Sequence, residues 1–411
     1  MKNLKRIAFF FYTVWILAVL SGCVTVLPEQ PLPASSAPTA ISAAVSDYSA
    51  EFADNWCYKT LSSALQNDYA VLYAAVKDCN VDKNVVISGT PYLGVEIKLT
   101  DLLNSDQTKI LFTAFTQDNP AFFYIGNTYS YGGYQDENDR NINTFCLTFT
   151  MSVKERQDAA VKLDAAVSAI EGGIPKDADE FGKELWLHDR LMEKTVYDDQ
   201  TANSGDPYAA SPNAFTAYGA LVEGKAVCEG YSRAMELLLH KSGIACTLVS
   251  GEDKKTGGSH MWDMVTVDGL NYHLDPTWDD GAADDPASYY RHVYFNLNDT
   301  EIQLTHTIDN DNVGISSCTG EDANYYRRLG LYLDTYDSDA IGQVIAGVVE
   351  TGNDRVDLRF SPATYGNAQL LVNNFNRLSD AVNQYLTGGQ TMWEYIYQTD
   401  DDYGTVTLFK K

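Results

Sequence analysis

The chain has 411 residues, 45% of them hydrophobic and 12% aromatic, with a formal net charge of −27 at neutral pH. That length and composition support two or three folded domains around a sizeable core and exclude a disordered protein. The acidic balance excludes a nucleic-acid binder, because phosphate contacts need clustered lysine and arginine, and it implies a well-solvated exterior.

The first residues read as an address. Lys2, Lys5 and Arg6 precede an apolar run from Ile7 to Leu20, followed by Ser21, Gly22 and Cys23. A basic head, an apolar stretch too short for a bilayer span and small residues before a cleavage point make a secretory signal. The Leu20-Ser21-Gly22-Cys23 ending resembles the bacterial lipobox, which implies a signal peptide over 1–22 and lipidation of Cys23. Residues 23–45, rich in Pro, Ala and Ser, cannot bury a core and read as an extended tether. The expected location is outside the cytoplasm, at the cell surface, held to the membrane by the lipid. Six further cysteines follow with no CxxC pair and no dense framework, so neither zinc nor any other cofactor is expected. Cys57 and Cys79 could bridge or remain isolated thiols.

Residues 46–175 are expected to form an N-terminal α+β domain. Ser46–Asp78 carries apolar residues at helical spacing, including Leu61, Leu65, Tyr69, Leu72 and Val76. Strands follow at VVISG and VEIKL, then a helix from Leu102 to Phe115 stopped by Asp118-Asn119-Pro120. Tyr129–Tyr134 is a Gly-rich aromatic loop, either a solvent-exposed loop tip or a platform on which sugars could stack. Thr144–Ser152 alternates as a strand, and Val153–Ile170 is an amphipathic helix.

Residues 176–318 form the expected core. Ala178–Tyr197 is helical, with His188 as one residue of its stripe, touching polar neighbours. Asp198–Pro212 is a loop. In LVEGKAVCEGYSRAMELLL, Tyr231, Met235, Leu238 and Leu239 make a helical stripe, which puts Cys228 at the helix N-terminus. Free N–H groups there favour a thiolate and could stabilise an oxyanion. Gly224 and Gly230 would let the backbone approach a substrate. Cys246 begins a strand and reads as a core thiol.

Ser259–Val267 and Leu270–Trp278 are strand patterns joined by Asp268-Gly269, a strong two-residue turn signal. With that turn, Val267 faces Leu270, His260 lies opposite Thr277, and Asp275 is the diagonal neighbour on the same face. His273 is the rival base, and parity is expected to place it on the face opposite Asp275. Trp262 and Trp278 could shape a groove or pack the core. Cys228 as nucleophile, His260 as acid–base and Asp275 as its orienting carboxylate make a thiol acyl-transfer constellation.

The motifs AVCEGYSRAMELLL, SHMWDMV and YHLDPTWDD, with LHDRLMEKTVYDD and AYGALVEGKAVC before them, resemble the transglutaminase-like superfamily. The resemblance covers Phe181–Phe295 and implies an α+β papain-like core. In it a helix bearing the Cys packs on an antiparallel sheet bearing the His and Asp, flanked by small α+β domains. It implies that Cys228, His260 and Asp275 take the triad positions. SHMWD stands where the family more often has HAWN, which puts Met261 and Asp263 at departures from the pattern. Family members hydrolyse or cross-link peptide and protein amides, or have lost activity and serve as scaffolds; peptidase-type hydrolysis is the favoured expectation here.

Asp279–Asp285 does not match a calcium loop and is expected to be a solvated acidic loop. His292 and His306 are expected in polar turns. Residues 319–411 form a C-terminal α+β domain with a helix near Asp337–Val349, a VDLRF strand, a helix over Ala368–Tyr385 and two final strands.

Overall fold

A computed structural model describes residues 48–135, 140–280, 290–366, 368, 371 and 375–411. The expected signal, the lipidated Cys23 and the tether lie outside the described residues, as do parts of the acidic loop and of the Ala368–Tyr385 helix. Among the described residues are three four-stranded sheets, each backed by helices.

The N-terminal sheet comprises β1 (Asn84–Ile87), β2 (Thr90–Leu103), β3 (Ile125–Gln135) and β4 (Arg140–Phe149), in the order β1-β2-β4-β3. Helix α1 (Ser63–Lys77) packs on β2, and α2 (Ser105–Gln117) on β4. The continuous helix expected over Ser46–Asp78 is three pieces, because Asn55 and Ser62 are extended and cap the helices that follow. Tyr129–Tyr134 is not a loop but part of β3, paired with β4. Tyr129 stacks on Phe112 at 4.1 Å and on Phe145 at 5.1 Å, so an open platform is replaced by packing.

The central sheet carries His260, one of the candidate site residues. Helix α3 (Val153–Glu171) leads to α4 (Glu180–Lys194), then to a two-residue parallel bridge between β5 (Val196–Tyr197) and β6 (Lys225–Ala226). Helix α5 (Cys228–Lys241) follows at once. It buries Tyr231, Met235, Leu238 and Leu239, the stripe visible in the sequence, against β7 (Cys246–Asp253), β8 (Ser259–Val267) and α4. Beyond the helix, Gly243 is left-handed at φ +80°, the ordinary stop for a helix end. With β9 (Leu270–Leu274) and β10 (His306–Ile308) the antiparallel order is β10-β7-β8-β9. Asp268 and Gly269 both have positive φ, +51° and +80°, as a type I′ hairpin turn requires.

The C-terminal sheet runs β11-β12-β14-β13, from β11 (Tyr332–Leu333), β12 (Arg355–Phe360), β13 (Tyr395–Asp400) and β14 (Thr405–Lys410). Helices α6 (Ser338–Glu350) and α7 (Phe375–Asn383) pack together, α6 also on β12, and enclose a separate core. One hydrophobic core runs from the N-terminal sheet into α4, α5 and the central sheet. A smaller cluster, including Trp262, Met264, Tyr294 and Tyr403, joins the central sheet to the C-terminal unit.

Candidate active site

Cys228 is the first residue of α5, after an extended Val227 whose N–H donates to the Ala214 carbonyl at 2.9 Å. The Cys228 N–H has no acceptor inside the helix, so it and the helix dipole converge where charge would develop on an attacked oxygen. Gly230 serves packing and not substrate approach: a Cβ there would collide with the Ala214 carbonyl oxygen. Gly224 is left-handed at φ +72° and ends the turn before β6.

His260 is buried on β8, where it faces Gly251 of β7. Its Nε2 lies 2.7 Å from Asp275 Oδ2, which leaves Nδ1 as the free ring nitrogen, and the imidazole interacts with the Cys228 thiol. The hairpin register runs from Val267↔Leu270 to Asp263↔Leu274, as the turn predicts. The ladder stops there, because Pro276 has no N–H to donate. Asp275 is therefore a helix cap and not a strand residue: Oδ1 accepts the Trp278 N–H at 3.1 Å while Oδ2 accepts from His260.

Electrostatics reinforce the contact. Burial disfavours the His260 imidazolium, but the Asp275 charge and hydrogen bond, together with Cys228, outweigh burial and raise the imidazole to about 10. Burial pushes the Asp275 carboxyl up, yet the charge and hydrogen bond of His260, and those of His306, hold it well below the ordinary carboxylate range.

His306 was not anticipated. It is fully buried on β10, with Nε2 3.1 Å from the same Asp275 oxygen that His260 contacts. Nothing local in LTHTIDN signals this, since its partner lies 31 residues earlier. His292 is likewise buried and not in a polar turn; its Nε2 lies 2.8 Å from Asp189 Oδ1.

His273 does not point to the face opposite Asp275. Residues 273 and 275 are two apart on one strand direction and share a face. His273 pairs with Met264, and its Nδ1 accepts the Trp262 indole N–H at 3.0 Å. What removes His273 from the site is that indole, together with the 3.0 Å contact of its Nε2 with Asp299. Trp262 is fully buried, so it packs the core and lines no open groove. Trp278 is only partly buried, 5.6 Å from the His260 ring and 4.4 Å from His306.

Cys246 is a core thiol, 3.6 Å from Asp263 Oδ1, and burial pushes it well above the usual thiol range. Asp263 is itself buried, one residue out of phase with His260 along β8. All six described cysteines are free, Cys57 and Cys79 included. Asp279 is not solvated either: it is fully buried, and its Oδ1 accepts the Tyr294 N–H at 2.9 Å.

Among the described residues, three side-chain groups have the composition of metal sites: His188-Asp189-His292, His260-Asp275-His306 and His273-Asp299-Cys318. In the first, Arg355 donates to His292 Nδ1, and in the third Trp262 donates to His273 Nδ1. Each of those imidazoles therefore carries its proton on the Nε2 that a metal would need, and both groups fit hydrogen-bonded networks better than an ion.

Residues 169–276 match the model of the transglutaminase-like superfamily, a stretch that includes Cys228, His260 and Asp275. That stretch is a transglutaminase-like domain. It is α+β, with the helix bearing Cys228 packed on an antiparallel sheet bearing His260, as in papain-like folds. No curated protein matches the chain. Among solved structures, a TGase shares 16% identity over 45% of this chain and 50% of its own, with a TM-score of 0.26. A candidate cysteine protease from Cytophaga hutchinsonii shares 12% over 36% of this chain and 61% of its own, at 0.23. A candidate protease from Parabacteroides distasonis shares 12% over 34% and 30%, at 0.22. The chain thus spans half of that TGase, and likenesses this low carry no weight for the chemistry.

Proposed function

We propose that the transglutaminase-like domain is a thiol acyl-transfer enzyme acting on peptide or protein amides, with Cys228, His260 and Asp275 as its triad. One observation carries this reading: an imidazole held by a buried carboxylate interacts with a thiol at a helix N-terminus. An imidazole raised to about 10 keeps its proton at neutral pH, and the proposed reaction starts from the thiolate paired with that imidazolium. The Cys228 sulfur attacks the amide carbon and the C=O electrons move to oxygen, where the Cys228 N–H receives the charge. As the tetrahedral adduct collapses, the C–N bond breaks and His260 gives its proton to the departing amine. Water, deprotonated by the now neutral His260, then cleaves the thioester and regenerates the pair. A primary amine in place of water would give cross-linking, and hydrolysis is the reading we favour.

The chain is further proposed to be a lipoprotein, anchored outside the cytoplasm through Cys23; loss of fatty-acid labelling in Cys23→Ser tests that part. For the chemistry, the full chain is incubated with a peptide library with and without a primary amine. Cleaved peptides are expected, and amine adducts would replace hydrolysis by transfer. A thiol-directed acylating probe should label the protein, and persistent labelling in Cys228→Ala would remove Cys228 as nucleophile.

A further inference from the structure

Asp275 Oδ2 accepts from two imidazoles, and the triad uses only one. The other, His306, has its Nδ1 2.8 Å from Thr305 Oγ1, and that hydroxyl is 3.0 Å from the Tyr403 hydroxyl. Tyr403 belongs to the C-terminal unit, in the turn joining β13 to β14, and is fully buried. Its hydroxyl also donates to the Glu301 carbonyl at 2.9 Å, and its ring packs edge-on against Tyr294 at 5.0 Å.

The direction of this chain follows from its end. A carboxylate only accepts, so His306 donates through Nε2. Burial and the His260 charge lower the proton affinity of His306 despite Asp275, so it is neutral and its Nδ1 accepts from the Thr305 hydroxyl. The Thr305 oxygen then receives the Tyr403 proton, which is shared with the Glu301 carbonyl. The Thr305 and His306 donors both point towards Asp275.

We propose that His306 is a positioning residue of the active site: it holds the Asp275 carboxylate on His260, and the C-terminal unit holds His306 in turn through Thr305 and Tyr403. The C-terminal sheet thereby completes the triad's support from outside the transglutaminase-like domain, since Asp275 lies within residues 169–276 and neither His306 nor Tyr403 does. Two aromatic rings fix the imidazole plane, with Trp278 at 4.4 Å and Trp262 at 4.9 Å. The titratable groups facing His306 are Asp275, His260 on β8, Asp253 across the β10–β7 ladder, and the phenols of Tyr294 and Tyr403. Only Asp275 and His260 touch the reacting pair, so the inference rests on the acyl-transfer reading of Cys228.

The test is the pH dependence of Cys228 alkylation by iodoacetamide in the full chain, with Cys228→Ala as background. The low-field proton resonance of the imidazole N–H facing Asp275 is read beside it. His306→Phe lets the carboxylate swing off His260, so the acid limb of alkylation should rise by about one pH unit. Tyr403→Phe, which removes one hydroxyl and keeps the ring, should move it the same way by less. His306→Gln, with an amide donor near the Nε2 position, should restore the native limb. An unmoved or lowered limb in His306→Phe would overturn the proposal. Should that variant fail to fold, an unmoved limb and resonance in Tyr403→Phe would overturn it. A native chain without an acid-shifted thiol would instead sink the reading of Cys228. The resonance then decides His306: shifted in both variants it upholds the positioning role, unshifted it ends it.

Discussion

Two carboxylates, the buried Asp275 and the partly exposed Asp189, each hold two imidazoles on a single oxygen, and only Asp275 has a thiol beside its pair. Asp275 Oδ2 contacts His260 at 2.7 Å and His306 at 3.1 Å, with the rings 5.2 Å apart. Asp189 Oδ1 contacts His292 at 2.8 Å and His188 at 3.1 Å, with the rings 5.3 Å apart. The local electrostatics are alike, since both carboxyls are held well below their ordinary range against the cost of burial. The difference lies in what the outer nitrogens meet. At the Asp275 pair they meet the Cys228 thiol and the Thr305 hydroxyl. At the Asp189 pair they meet Asp279, 3.4 Å from His188, and Arg355, 3.2 Å from His292, beside a cavity of about 960 Å³. An imidazole between two carboxylates is a structural cation, whereas one between a carboxylate and a thiol can pass a proton. The neighbour decides, more than the His–Asp contact itself.

Substitution of the two aspartates gives the largest contrast. Asp275→Asn should lower turnover by about 10⁴-fold with the fold retained, because the imidazole loses the carboxylate that orients it. Asp189→Asn should leave turnover within about threefold and cost about 3 kcal/mol of stability, the order expected when buried imidazoles lose the carboxylate that pairs with them. Turnover assays and chemical denaturation of both chains decide, and equal losses of turnover would erase the distinction.

A second, smaller effect concerns pH. His188 is raised to about 9, its two carboxylate neighbours outweighing burial, and His260 to about 10. Both folded values lie above the ordinary imidazole value of about 6.5. Each contribution to stability is therefore complete below about pH 6.5 and is lost as pH rises through about 9 and about 10. Burial also lifts Glu184 to about 8, so its proton is lost in the same direction. Thermal melts from pH 6 to 10 should show a falling midpoint, and His188→Gln should flatten part of that fall. A midpoint that climbs with pH would contradict the assignment of both imidazoles.

The smallest effect tests a carboxyl with no imidazole at all. Glu236 is fully buried on α5, and burial, with Asp118 beside it, pushes it well above its usual range. Glu236→Gln should stabilise the chain by no more than about 1 kcal/mol at pH 8, by removing the cost of a buried ionisable group. Denaturation at pH 6 and pH 8 checks it, with the larger gain expected at the higher pH. A loss at both would mean that the carboxyl is needed as an acceptor.

Much of this was legible from residues alone, because it depends on neighbours along the chain. The apolar spacing of Tyr231, Met235, Leu238 and Leu239 determines a helix, and its start places Cys228 at the N-terminus. The Asp268-Gly269 pair determines a hairpin and its register, and so brings β8 and β9 together with His260 and Asp275 near one end. The sequence could not supply what depends on chain segments far apart. Glycines near Tyr129 suggest exposure, and Phe112 from α2 and Phe145 from β4 cover its ring. His292 and His306 have no carboxylate beside them in sequence and lie against Asp189 and Asp275 in space. His273 is engaged through both ring nitrogens, by the Trp262 indole and by Asp299, and so is kept from the site. Local periodicity is enough to specify an element and a turn. Which imidazole becomes an acid–base group was decided by tertiary packing, because proton affinity follows from burial and from charges that the chain brings together only on folding.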